Sequence, residues 1–205
     1  MFKRNLEIIV KDIYIIIIIS IGFTYRLWSQ PGKIDSLLNV CNKTKFDTVK
    51  VDNYNEIAFY LSEDDFEKSD YYSNRAKAIA IKIGYKQGIS RSEYLIGQTN
   101  YYRENYKRAL EHYFESLRLS ETTDKTINYA YTTVQIGNTY YLITDYPNAL
   151  KYYNKAFEIF DYLNSDIGRS IIFNNLANLQ TIDNQFDSAI SNYKKQLRLT
   201  LNKKS

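Results

Sequence analysis

The chain has one cysteine, Cys41, and one histidine, His112, in 205 residues. A disulfide framework needs cysteines in pairs, and a zinc site built from Cys and His needs more ligands than these two residues supply. Two prolines and seven glycines are too few for a collagenous or linker-like chain. An excess of one charge is also missing: 27 basic residues against 23 acidic ones leave a net +4, with much of the surplus near the two ends. Without a long basic stripe, nucleic acid is not an expected partner. What the chain does have is tyrosine, 21 residues of it beside 10 phenylalanines, and an aromatic content of 16% argues against disorder and for many packed surfaces.

Chemical motifs are equally scarce. No glycine-rich phosphate loop, nucleophile elbow or zinc-protease helix occurs. His112, between Glu111 and Tyr113, reads as a partly exposed surface residue, and Cys41 as a small buried hydrophobe. The trio Glu63-Asp64-Asp65 lacks the alternating ligands and central glycine of a calcium loop, so it reads as a capping turn. No catalytic residue, metal ligand, cofactor or enzyme activity is expected.

The first thirty residues stand apart. Met1-Phe2-Lys3-Arg4 is a short positive start, and Ile13 to Ile19 is almost pure isoleucine, continuing through Ile21, Gly22 and Phe23. The uninterrupted apolar part, about eleven residues, falls short of the roughly 20 needed to cross a bilayer and matches the apolar region of a secretory signal peptide. Cleavage near Gln30 is the leading expectation; a retained N-terminal anchor and a buried isoleucine-rich strand are the alternatives. Either of the first two places the protein outside the cytoplasm, periplasmic or tethered facing the periplasm, with membrane contact only through this segment.

Beyond residue 30 the chain repeats. Ile96-Gly97, Ile136-Gly137 and Leu176-Ala177 recur at a spacing of 40; ten residues after each opening residue stands Tyr106, Tyr146 or Phe186. Three further on come Ala109, Ala149 and Ala189, then Tyr113, Tyr153 and Tyr193, and Ala156 falls in phase with Ser116 and Ala76. A fourth, earlier copy keeps the register at Phe66 and Ser69 but departs from it at Ile57 and Ser73. A period of 20–50 residues marks a stacked repeat array. Within each copy apolar residues recur at three and four, which is helical periodicity, and the small residues allow two helices to approach to about 8–9 Å. The pattern predicts paired helices: A helices over 50–62, 87–102, 126–142 and 168–182, and B helices over 66–83, 106–121, 146–162 and 186–200. Residues 31–49 read as a partial repeat and linker, with a short helix over 33–42 acting as a cap, and residues 50–205 as four repeats.

On these residues the array resembles the tetratricopeptide repeat, whose signature runs Leu-Gly, a tyrosine three on, then small, aromatic and small positions in the second helix. Ile136-Gly137, Tyr140, Ala149, Tyr153 and Ala156 match nearly in full; Asn100 replaces the tyrosine in the second copy, and Gln196 replaces the last small residue in the fourth. The 40-residue period resembles the longer-helix variety of motor light chains and bacterial regulatory proteins. Together with the isoleucine-rich leader, it is similar to the exported front parts of sensor kinases and transcriptional regulators of the Bacteroidetes kind. A fragment, a degenerate gene product and a free-standing repeat protein all fit that likeness. The resemblance implies an all-α, right-handed α-solenoid with Gly97, Ala109, Gly137, Ala149, Ala156, Ala177 and Ala189 as structural positions.

It also implies a binding site, because relatives of this kind contact partners from the concave face lined by the A helices. Projected onto this chain, those positions are Arg91, Tyr94, Gln98, Tyr101 and Tyr102; Tyr131, Val134, Asn138, Tyr141 and Leu142; and Ile171, Asn174, Asn178, Thr181 and Ile182. Tyr and Asn suit an extended peptide, rings for its side chains and amides for its backbone. The same tyrosines also suit packing between adjacent A helices, and both readings stand. The expected function is a protein- or peptide-binding scaffold, with the sensory or dimerising region of a signalling protein as the alternative. The apolar residues Leu197 and Leu199 near the end call for another repeat, a partner chain or the remainder of a longer protein to cover them, and self-association through the C-terminal repeat is one such expectation.

Overall fold

The computed structural model describes residues 32–120 and 126–201. The leader, on which the expectations of export and tethering rest, lies outside the described residues. Among the described residues no helix is long and apolar enough to cross a membrane. The chain divides into two compact units, Met1–Lys45 and Phe46–Ser205. In the first, residues 32–43 form helix α1, which carries the buried Cys41.

The second unit is all helix among its described residues: α2 (Asp47–Leu61), α3 (Phe66–Lys82), α4 (Lys86–Tyr102), α5 (Tyr106–Ser120), α6 (Ile127–Leu142), α7 (Tyr146–Tyr162), α8 (Asp166–Ile182) and α9 (Phe186–Leu201). The even-numbered A helices pair with the odd-numbered B helices that follow them, and α2, α4, α6 and α8 touch in sequence along one side. Each B helix also packs on the next A helix. This is the expected all-α solenoid of helix pairs, with starts and ends falling within three residues of the periodicity reading.

Local chemistry explains the punctuation. Asp65, Asp145, Ser165 and Thr126 cap α3, α7, α8 and α6 by accepting from Lys68, Asn148, Gly168 and Tyr129 backbone N–H groups, which satisfies donors a helix start leaves orphaned. Asp65 is the last of the acidic trio, so at least that residue performs the capping read from the sequence. Pro147 lies in the first turn of α7, where its missing N–H costs nothing. Five of the turns are built alike: Gly84, Glu104, Thr144, Asn164 and Asn184 each take a positive φ. The next residue's N–H then reaches back to a carbonyl five residues earlier, as in Asp145 to Tyr140 at 2.9 Å. That closes the end of one helix while reversing the chain into the next.

The core is a column of small residues facing aromatic ones. Ala109, Ala149, Ala156 and Ala177 have no exposed surface and Ala189 only 3%. A methyl group added at Gly97 would sit 2.7 Å from Tyr113, and one added at Gly137 would sit 2.6 Å from Tyr153. Both tyrosine rings are buried, so each ring occupies the space that a side chain on the A helix would take. Burial pushes both phenols well above the usual tyrosine range.

One charged residue is also buried in the array. Glu93, 4% exposed, pairs with Lys77 Nζ at 2.6 Å and with His112 Nδ1 at 2.8 Å, joining α4 to α3 and α5. His112 is thus partly exposed, as expected, but it is held by a buried carboxylate that the sequence reading passed over. Burial raises the Glu93 carboxyl's pKa; the hydrogen bonds from His112 and then Lys77 outweigh it and leave it below the ordinary glutamate value. A depressed carboxylate stabilises the fold above its unfolded pKa, and that contribution is lost as pH falls through the folded one. Urea midpoints measured between pH 6 and 2.5 should therefore fall on the acid side, and Glu93→Gln should flatten that limb. An unchanged acid limb in the variant would show that the carboxylate is not responsible.

Candidate functional site

The N-terminal halves of α4 and α6, with the middle and C-terminal part of α2, open onto a cleft of about 710 Å³. From α2 it is lined by Asp52, Asn55, Glu56 and Phe59; from α4 by Lys86, Gln87, Ser90, Arg91 and Tyr94; and from α6 by Asn128, Tyr131 and Thr132. Ser116, Leu119 and Ser120 at the end of α5 form part of its wall. There the Ser90 hydroxyl meets that of Ser120 at 2.7 Å and donates to the Ser116 carbonyl at 3.0 Å, which ties the wall to α4.

Arg91 is the prominent group in this cleft. Its guanidinium lies 5.5 Å from the Phe59 ring centre and 5.0 Å from that of Tyr94, a placement that orients the cation without neutralising it. It makes no ion pair among the described residues. Tyr94 is itself held from behind by Tyr113, with ring centres 5.7 Å apart. Burial keeps the Tyr94 phenol above its usual range despite the opposing pull of Arg91 and of a hydrogen bond with Gln135. Tyr131 completes this end and packs edge-on against the buried Phe160 at 5.2 Å. Asp52 and Glu56 bring negative charge to the α2 side, Asp52 accepting from the Tyr85 hydroxyl at 3.2 Å. The cleft therefore carries a cationic and an anionic edge about an aromatic floor.

Of the concave-face residues projected from the repeat signature, Arg91, Tyr94 and Tyr131 line the cleft. The others sit elsewhere on the A helices. Gln98 is 5% exposed. Tyr101 packs edge-on against Tyr102 and Tyr106 at 5.5 and 6.0 Å, and Tyr141 lies against Tyr146 at 5.8 Å. Asn138 accepts from the Tyr153 hydroxyl at 2.9 Å and from Asn175 Nδ2 at 3.1 Å, while its own amide donates to Gln135 at 2.8 Å. Asn178 accepts from the Tyr193 hydroxyl at 2.7 Å, and Asn174 is half-buried on α8.

Side-chain amides tie A helices together at two junctions: Ser92 donates to Asn55 at 2.8 Å between α2 and α4, and Asn175 donates to Asn138 at 3.1 Å between α6 and α8.

The contribution of α2 was not foreseen. Projecting the repeat signature onto the first copy lands on Val51, Tyr54, Ala58 and Leu61, all of which are core. The cleft instead uses Asp52, Asn55, Glu56 and Phe59, one residue further round the helix. Their spacing of three, one and three puts them on a single helix face, the one signal that could have found them.

Among the described residues no group of three or more His, Cys, Asp or Glu side chains is placed to hold a metal ion.

Comparison with known proteins bears on the fold. A family described as the tetratricopeptide repeat matches residues 128–201, the third and fourth helix pairs. No curated protein sequence matches the chain. Among solved structures, BtubC (BKLC) from P. vanneervenii superposes with a TM-score of 0.71 at 16% identity, over 87% of this chain and 74% of that one. A Rap protein crystallised with Competence and Sporulation Factor gives 0.74 at 18% identity, over 82% of this chain and 48% of that one. The signal-transduction ATPase PH0952 from Pyrococcus horikoshii, described as having a tetratricopeptide repeat sensor, gives 0.71 at 19% identity. That match covers 82% of this chain, which spans 26% of PH0952 and about half of the Rap protein. At such identities the likeness extends to the fold, and the paired helices of α2–α9 form a tetratricopeptide-like repeat array.

Proposed function

We propose that the protein is a non-catalytic scaffold that binds an extended peptide or protein segment in the cleft between α2, α4 and α6. The observation that carries this reading is Arg91, a cation stacked on two rings and left without a carboxylate partner among the described residues. A cation so placed suits an acidic side chain of the ligand, with Tyr94 and Tyr131 receiving apolar neighbours and Asp52 and Glu56 favouring a basic residue further along. The Rap protein of similar fold was crystallised with Competence and Sporulation Factor, which adds support for a ligand-binding array. The site would act outside the cytoplasm if the leader directs export as its composition suggests.

The test is an array of extended peptides, each with a central acidic residue, probed with the purified chain. Arg91→Ala should weaken the best binders about tenfold, corresponding to ~1.4 kcal/mol, while helical content is unchanged. Binding that ignores both Arg91→Ala and Tyr131→Ala would remove the ligand from this cleft. A second reading, the sensory region of a larger signalling protein, draws on the likeness to PH0952, of which the array matches about a quarter.

A further inference from the structure

The exposed side of α9 carries Phe186, Ile190, Tyr193, Leu197 and Leu201, with exposures of 56, 49, 37, 54 and 55%. In the third pair the equivalent residues of α7 lie between two A helices, Tyr153 against Gly137 of α6 and Phe157 against Phe173 of α8 with ring centres 5.4 Å apart. Phe157, forty residues before Leu197, is half-buried, and Tyr153, forty before Tyr193, is 2% exposed. Tyr146, forty before Phe186, is half-buried, and Leu150, forty before Ile190, is 45% exposed. At Phe186, Tyr193 and Leu197 the stripe on α9 is thus more exposed than its counterparts in the preceding repeat.

The positions of its first four residues say which helix fits. Phe186, Ile190, Tyr193 and Leu197 are spaced four, three and four apart, a sequence of steps that reads the same from either end. Two copies of α9 laid antiparallel about a two-fold axis between residues 191 and 192 bring Phe186 over Leu197 of the other copy and Ile190 over its Tyr193. Asp187 and Lys194 lie along one edge of the stripe, seven residues apart, and in that arrangement each comes within two residues of directly opposing the opposite charge on the second copy, twice over. Neither is ion-paired among the described residues, and two helical turns separate them within one chain, too far to pair with each other.

We propose that α9 is a homodimerisation surface, pairing antiparallel with α9 of a second copy to make an isologous two-fold contact. A single helix pair of about 24 Å gives an interface at the small end of the range for stable complexes, so association should appear at micromolar concentration rather than below it.

Light scattering during size exclusion of the full chain, at 1 to 200 µM, should show the mass rising to twice that of one chain. Ile190→Glu should hold it at one. Asp187→Lys and Lys194→Asp should each weaken association about tenfold, and the double variant Asp187→Lys/Lys194→Asp should restore it, which only pairing between chains can do. A monomer at every concentration overturns the proposal and leaves the stripe to a following segment of the chain or to a different protein. Association that persists in Ile190→Glu, as it would if the apolar leader were responsible, also overturns it, as does failure of the double charge exchange to rescue. None of these outcomes bears on the cleft between α2, α4 and α6.

Discussion

Gly168→Ala should lower stability by about 3 kcal/mol, at the upper end of the cost of overpacking a core, although it adds a single methyl group. The added carbon would sit 2.0 Å from Phe160 Cδ1 and 2.2 Å from Cγ, and Phe160 has no exposed surface into which to move. Its ring is hemmed in by Tyr131 on one side and the start of α8 on the other, so relief requires α8 to shift away from α7. In an array where each repeat touches only its neighbours, such damage stays local. Hydrogen exchange should show protection lost in α8 and α9 and kept in α2 through α5. An even loss across all eight helices would mean that the array opens as one cooperative unit. Gly168→Ala combined with Phe160→Leu should recover part of the lost stability, because the smaller side chain makes room for the methyl.

A larger effect with a sharper signature is expected in the first repeat. In the second and third pairs the A helix presents glycine, Gly97 or Gly137, and the B helix fills the space with tyrosine. In the first pair the equivalent residues are Ile57 and Ser73, both with no exposed surface. The bulk has moved from one helix to the other. Ile57→Gly should cost about 3–5 kcal/mol through the cavity it leaves and the added helix entropy. Ser73→Tyr should be severe as well, since the ring would be forced into Ile57. The double variant recreates the arrangement of the inner repeats and should be more stable than either single one, with a coupling of ~2 kcal/mol or more. Thermal melts of the four proteins measure this directly. Additive losses would show that the two side chains do not share one space. Ser73 also donates to the Ser69 carbonyl at 2.8 Å, a bond the tyrosine cannot make, so recovery should stop short of the parent protein.

This exchange shows what could be read in advance and what could not. The repeat period, the helix bounds and the small positions were legible because they are constraints within one helix pair: a glycine must face a ring, and a turn must reverse the chain. Ile57 and Ser73 looked like erosion of the motif when taken singly, because sequence pattern records residue type by position and not the sum of two volumes across a contact. The same limit hid Glu93. The residues forty before and forty after it are Asn53 and Thr133, so nothing in the period marks a buried carboxylate, and its partners Lys77 and His112 come from two other helices. For the cleft, Arg91, Tyr94 and Tyr131 followed from the family projection, whereas the α2 face did not, because the first repeat packs the projected positions into its core. Asn138 was read as an amide for a ligand backbone. The structure occupies its oxygen twice, with a tyrosine hydroxyl and a neighbouring amide, a geometry that depends on inter-repeat distance and is invisible along the chain.

The neighbour-only construction also governs how the protein comes into being. Tyr102 donates to Glu63 across 39 residues, and the amide ties between A helices span 37, so native contacts close after little more than one repeat has been synthesised. Short-range closure of this kind is associated with fast folding. It also permits vectorial assembly: once α4 has emerged, α2 and α3 have their neighbours, and each later pair docks on a template already in place. The last pair alone has no successor among the described helices to dock against. Pairing of α9 with a second copy, as proposed above, would be the concentration-dependent event in a process that is otherwise intramolecular.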